Sequence, residues 1–177
     1  DHILAIFKDG TYYTTTFDLS NRYQGELLRI EKLDVNKVYT VLYYDKAVAS
    51  FYVKRFSFDV SDNTPVSFIS ESKGSYIVEI SDDRHPQFEI TFGGKNVNRD
   101  PEQVDAESFI AKKGLQAKGK KVSALDVKSV MFIEPLHKME DDMVQQESEA
   151  ENVAGEIDNT DVEDPIDLDI PEDPQLR

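Results

Sequence analysis

An all-β chain assembled from repeated strand units is expected from three features. Short runs rich in β-branched and aromatic residues alternate with turn signals, beginning with Ile3 to Lys8 and Thr11 to Phe17 on either side of Asp9-Gly10. The turns recur: Asp9-Gly10, Asp45-Lys46 and Asp82-Asp83-Arg84 are separated by steps of 36 and 37 residues. Helical periodicity is almost absent, apart from one turn expected over Pro101 to Ser108, with Asp100 as cap and Pro101 at the first helical position.

In chain order, the first hairpin is followed by an apolar segment, Gly25 to Ile30. Val38 to Tyr44 and Val48 to Phe58 make a second hairpin around Asp45-Lys46, followed by Pro65 to Ile69. Ser75 to Ser81 and Gln87 to Phe92 read as a third, around Asp82 to Arg84. One more step of 36 from Asp83 reaches Gly119, and Val122 onward, including Val127 to Ile133, reads as the return of a weaker fourth repeat. A period near 36 with three or four strands per unit fits a bladed or solenoid β architecture, in which stacked neighbours bury faces that one unit cannot. An unrelated β-sandwich or barrel is the alternative.

The charge is unevenly distributed. The chain carries a formal −15 over its 177 residues, but residues 139–177 hold fifteen acidic side chains and one arginine. Residues 1–138 are therefore close to neutral, and their lysine clusters can create local positive potential. The division expected is a β domain over 1–138 and an acidic disordered tail over 139–177, because so polar a segment cannot offset its ordering entropy by burial. The tail lacks the spacing of a calcium loop. It reads as a solvated segment, or as an internal competitor for whatever the lysines bind.

Several chemistries find no support. Without cysteine there is neither disulfide nor thiolate metal site, which is compatible with a reducing cytoplasm. His2, His85 and His137 are too widely separated to suggest a ligand set, and no run is apolar enough for a signal or membrane segment. The opening strand-like run without an initiator Met suggests a piece of a longer protein. No G-x-S-x-G is present, and nothing places Glu71 and Glu79 across a cleft. Gly114-x4-Gly119-Lys120 matches the start of a phosphate-binding loop, but Lys121 replaces the hydroxyl that would hold magnesium, and no strand–helix frame surrounds it.

A polyanion suits the lysines better. Lys112, Lys113, Lys118, Lys120 and Lys121 crowd a glycine-bearing segment, and Lys54-Arg55 form a second basic pair. Neighbouring strand residues point to opposite faces, so one member of that pair should turn towards a neighbouring unit unless the strand lies at an outer rim. Basic groups at one level of successive units would form a band that binds duplex DNA by charge and curvature. The alternative from a different class is a propeller-like protein-interaction module whose lysines only maintain solubility.

The order IFKDGTYYTTTFDLSNRY, LRIEK, YVKRFSF, FISESKGSY and FEITFGGK, with Ala-Lys-Gly-Lys-Lys-Val late in the chain, resembles the C-terminal domain of the DNA-cleaving subunits of bacterial type IIA topoisomerases. The likeness is closest to the topoisomerase IV or gyrase-type proteins of Bacteroidetes-like bacteria, and runs from residue 1 to about 136. It implies a β-pinwheel, a propeller-like ring of four-stranded blades exchanging strands, with DNA bent around a basic rim; four repeats would make a partial array. It also implies a cytoplasmic, nucleoid-associated parent forming an A2B2 heterotetramer with its ATPase partner. The catalytic tyrosine, ATP and magnesium would then belong to other domains, leaving this stretch without catalysis or cofactor. By motif position, Lys54, Arg55, Lys118, Lys120 and Lys121 correspond to candidate DNA contacts. The glutamine-arginine-glycine box of true gyrases is missing, which points to decatenation or relaxation.

Overall fold

In a computed structural model, residues 1–138 are described; the acidic tail expected over 139–177 lies outside them. Eleven strands and two single-turn helices make up these residues, in three antiparallel sheets. The all-β expectation holds.

The first sheet has the order β3-β1-β2-β6, built from Ile3–Phe7 (β1), Thr11–Thr15 (β2), Leu27–Lys32 (β3) and Val66–Ser67 (β6). The second, β10-β5-β4-β7, comprises Tyr39–Asp45 (β4), Ser50–Phe56 (β5), Tyr76–Ser81 (β7) and Lys120–Lys121 (β10). The third, β11-β8-β9, comprises Gln87–Phe92 (β8), Glu102–Asp105 (β9) and Val127–Ile133 (β11). One wiring rule generates all three. Each unit makes a hairpin and adds a later strand outside the hairpin's first strand, and the second and third also hand a two-residue crossover strand back to the preceding sheet. Thus β6 pairs with β2, and β10 with β5.

This rule corrects the expected repeat in three places. Asp82 to Arg84 is not a hairpin turn: β7 pairs with β4 and β8 with β9 and β11, so the chain changes sheets there. Gly119 opens a crossover strand, and three sheets stand where four hairpins were expected. The turn spacing was misleading because crossover segments vary. From β1 to β4, Ile3 to Tyr39, the 36-residue step is kept, since the first unit has no earlier sheet to supply. The second unit contains β6, so its step is longer. The expected helical turn forms later than anticipated. Residues Glu102–Asp105 pair with β8, and α1 spans Ala106–Phe109 with the Asp105 carboxylate accepting from the Glu107 and Ser108 amides.

Burial follows from stacking. The middle sheet is covered on both faces, so β4 is buried at six of seven positions and reads as continuous apolar sequence. Its Val41, Tyr43 and Ile77, with Tyr52 and Phe56 of β5, pack against Leu4, Ile6 and Tyr12 of the first sheet. Leu42 and Val53 point the other way, to Phe88, Ile90 and Phe92 of the third. β8, at the end of the stack, alternates buried and half-buried residues with period two.

Candidate nucleic-acid interface

The lysine-rich segment lies along the edge of β5 that β10 covers. Ile110 and Val122 are buried in the cluster between the second and third sheets, anchoring its two ends. Between them Leu115 packs on the other cluster, between the first and second sheets. Backbone contacts complete the fixing: the Lys113 amide donates to the Arg55 carbonyl at 2.9 Å, the Tyr43 hydroxyl to the Lys118 carbonyl, and the Gln116 side-chain amide to Ser67 at 3.2 Å. Burial together with the nearby Asp45 carboxylate raises the Tyr43 phenol far above its ordinary value, so that hydroxyl remains a donor at any physiological pH.

Gly119 makes the close approach possible. A Cβ there would stand 2.3 Å from the Val53 carbonyl oxygen, and its φ of +87° lies in the left-handed region. Gly119→Ala is therefore expected to separate β10 from β5, with amide exchange of Lys120 to Val122 rising and the melting temperature falling by several degrees. Unchanged exchange would refute the need for glycine.

The seven cationic residues singled out in the sequence occupy different environments. Lys112, Lys113, Lys118, Lys120 and Lys121 are all exposed. The Lys120 ammonium sits 3.9 Å from the centre of the Phe109 ring and 3.4 Å from the Phe109 carbonyl. Lys118 lies 3.7 Å from the Asp45 carboxylate and 4.9 Å from the Tyr52 ring centre. No described carboxylate comes within ion-pair distance of Lys112, Lys113 or Lys121. Arg55 is half-buried, its guanidinium 3.3 Å from the Thr40 hydroxyl and 3.5 Å from the Ile110 carbonyl. It flanks the same Phe109-Ile110 turn that Lys120 covers.

Lys54 is corrected. It is 2% exposed, turned towards the first sheet as strand alternation allowed, and cannot reach a ligand at the surface. Its ammonium donates to the Leu115 carbonyl at 2.7 Å and to the Phe68 carbonyl, and burial pushes its pKa down to about 8. Lys54 therefore acts on the basic segment from beneath. Leu115, the supporting anchor, was not anticipated. A lone aliphatic residue between glycine and a run of lysines was the available signal.

Two cations of the first sheet side are instead neutralised by carboxylates. Arg29 and Lys37 contact Glu31 and Asp82, joining β3 to the β7–β8 crossover. The hydrogen bond from Lys37 holds the Asp82 carboxyl below the usual carboxylate range. Along the β5 edge, Lys112, Lys113 and Lys121 have no such partner among the described residues.

A family model for the topoisomerase C-terminal domain of Bacteroidota matches residues 1–134. The chain belongs to that family. No curated protein matches it. The family model spans all three sheets of this topoisomerase C-terminal domain, with β11 as the last strand. A domain of this family fits a topoisomerase parent. Within the domain the family match and the three-sheet body coincide, while the basic β5 edge belongs to the crossover between its second and third units. Among the described residues, no helix is long and apolar enough to cross a membrane, and no group of three His, Asp or Glu side chains could hold a metal ion.

Proposed function

We propose that this domain binds duplex DNA without sequence preference and helps to bend or hold it for strand passage by an ATP-dependent type IIA topoisomerase. The observation carrying this reading is the run of exposed lysines, three without carboxylate partners among the described residues, on a backbone held along β5 by buried anchors on both sides. A backbone already held in place loses little further freedom when its lysines meet phosphates, and a glycine-bearing backbone admits a phosphate strand closely. Lys112, Lys113, Lys118, Lys120 and Lys121 supply the contacts, with Arg55 at the margin. ATP, magnesium and strand cleavage belong to other domains of a cytoplasmic, nucleoid-associated A2B2 parent. The strand exchange between consecutive sheets supports the β-pinwheel reading. A topoisomerase IV-like role fits the missing gyrase box.

The acidic residues 139–177 compete with DNA for these lysines, since a tethered polyanion acts at an effective concentration in the millimolar range. Gel-shift titration on a duplex of arbitrary sequence tests both statements. If about five phosphates are neutralised, affinity should fall on the order of several hundred-fold between about 0.05 M and 0.2 M salt. Deleting 140–177 should tighten binding most at low salt. A flat salt response would sink DNA binding and favour a protein-interaction module, for which the exposed Phe17 and Leu19 offer a surface.

A further inference from the structure

Among the described residues the three sheets end on β3 and β6, on β10 and β7, and on β11 and β9. An edge strand recruits another strand unless something blunts it. β6 and β10 are only two residues long. β9 carries Glu102 and Asp105 at its ends, so a second copy laid antiparallel on it would set carboxylates opposite one another. The edge of β11 is partly occupied, because its Phe132 amide donates to the Glu79 carboxylate of β7 at 2.5 Å. β7 is flanked by β11 through that bond and by β3 through the 3.4 Å ion pair of Arg29 with Asp82. That leaves β3, six residues long, with Leu27, Leu28 and Ile30 respectively 39%, 38% and 46% exposed.

The pairing of β3 with β1 shows which of its backbone groups are free. The Leu33 amide donates to the His2 carbonyl at 2.8 Å, and the same register sets Glu31 opposite Leu4 and Arg29 opposite Ile6. Hydrogen-bonded positions alternate along an antiparallel pair, so Glu31 and Arg29 also bond to β1. Ile30, Lys32 and, beside the bulge, Leu28 therefore turn their amides and carbonyls outward. The side chains alternate as well. Arg29 and Glu31 share the core face with Ile6 and Leu4, while Ile30 lies on the outer face in the row Ile30–Ala5–Tyr13.

We infer that a second copy of this chain pairs with the free edge, β3 against β3, antiparallel across a twofold axis. A ladder forms only where outward-bonding residues meet, and centring the pair on Ile30 achieves this. Ile30 then faces the partner's Ile30, Leu28 the partner's Lys32, and Arg29 the partner's Glu31. Opposite charges meet twice on the core face, and the aliphatic stem of Lys32 covers Leu28. On the outer face the apolar row runs unbroken from one Tyr13 to the other. Moving the centre to Arg29 would set guanidinium against guanidinium, and moving it to Glu31 would set carboxylate against carboxylate. Charge therefore selects the register. So short an interface supports association on the order of 100 µM, not a permanent dimer. None of the lysines assigned to DNA lies on β3, so the inference is independent of DNA binding.

The chain has no cysteine, which allows a direct test. In this register the two copies of position 30 stand about 5.5 Å apart at Cα, within disulfide reach, and the two copies of position 32 about 14 Å apart. Under mild oxidation, full-length Ile30→Cys should form a disulfide-linked dimer at least tenfold faster than Lys32→Cys. In the unmodified chain, amide exchange at Ile30 and Lys32 should slow as the protein is concentrated from about 10 µM to about 1 mM. Leu28→Glu, which sets a carboxylate against the partner's Lys32, should lower the concentration needed several-fold, and Ile30→Lys should abolish the effect. Equal crosslinking rates in the two cysteine variants would overturn the inference. So would protection of Ile30 and Lys32 that is the same at every concentration, which would assign the edge to another part of the same chain.

Discussion

Lys54→Ala is expected to destabilise the folded body by about 3 kcal/mol at neutral pH, lowering its melting temperature by roughly 10 °C. Two effects add. The Phe68 and Leu115 carbonyls lose their donor inside the stack, and an unsatisfied buried acceptor costs about 1–3 kcal/mol. Truncation also leaves a cavity between the first and second sheets, beside Phe56, over whose ring the ammonium lies at 4.8 Å. Relief from desolvating a charge opposes both, and Lys54→Met isolates it by keeping most of the volume. Thermal unfolding in the three proteins measures the balance. A loss below about 1 kcal/mol in Lys54→Ala would show that water replaces the ammonium easily.

The same lysine predicts a pH dependence whose sign is fixed. Burial pushes its pKa to about 8, below the ordinary 10.5. Between those values the unfolded chain holds a proton that the native protein has released, so stability rises with pH across that window. Relative to Lys54→Met, the wild-type protein should gain from pH 7 to pH 10, by at most about 3 kcal/mol. The two carbonyls favour the charged form and reduce the gain. Tyr39 and Tyr43, raised by burial, act in the opposite direction above pH 10, where the unfolded phenols ionise first. They are common to both proteins and cancel in the difference. A pH-independent difference would mean that Lys54 stays charged throughout.

Local strand chemistry was legible in the sequence; strand exchange was not. Asp9-Gly10 announced its hairpin because Gly10 takes a φ of +80° that the turn requires. Val127 to Ile133 and Gln87 to Phe92 were placed to the residue, since each has a clear strand pattern between turn residues. The crossover strands pair only two residues each, too short for any periodicity, and their partners lie far back in the chain. Asp82 to Arg84 therefore looked like a turn between neighbours. At the site, the lysine cluster was visible as composition, but which of Lys54 and Arg55 faced inward depended on which side of β5 the first sheet occupied. Only the stack decides that, and it leaves Arg55 half-buried.

Replacing Lys112, Lys113 and Lys121 together by alanine should abolish most DNA binding while leaving the fold intact. None of the three has a described carboxylate partner, and all are exposed, so the folded body loses no ion pair when they go. Stability should change by less than about 0.5 kcal/mol per site. If each neutralises one phosphate, the variant loses about 2.7 from the slope of log affinity against log salt and on the order of several hundred-fold in affinity at 0.1 M. Lys118, which shares its charge with Asp45, should contribute less than any one of them, so Lys118→Ala provides an internal scale. The loss should be uniform over duplexes of different sequence, because phosphate contacts carry no base information. Lys54→Met completes the comparison. It should lower affinity through a loosened Leu115 while keeping the wild-type salt slope, since a buried ammonium releases no counterion. An unchanged slope in the triple variant would place the DNA elsewhere on the domain.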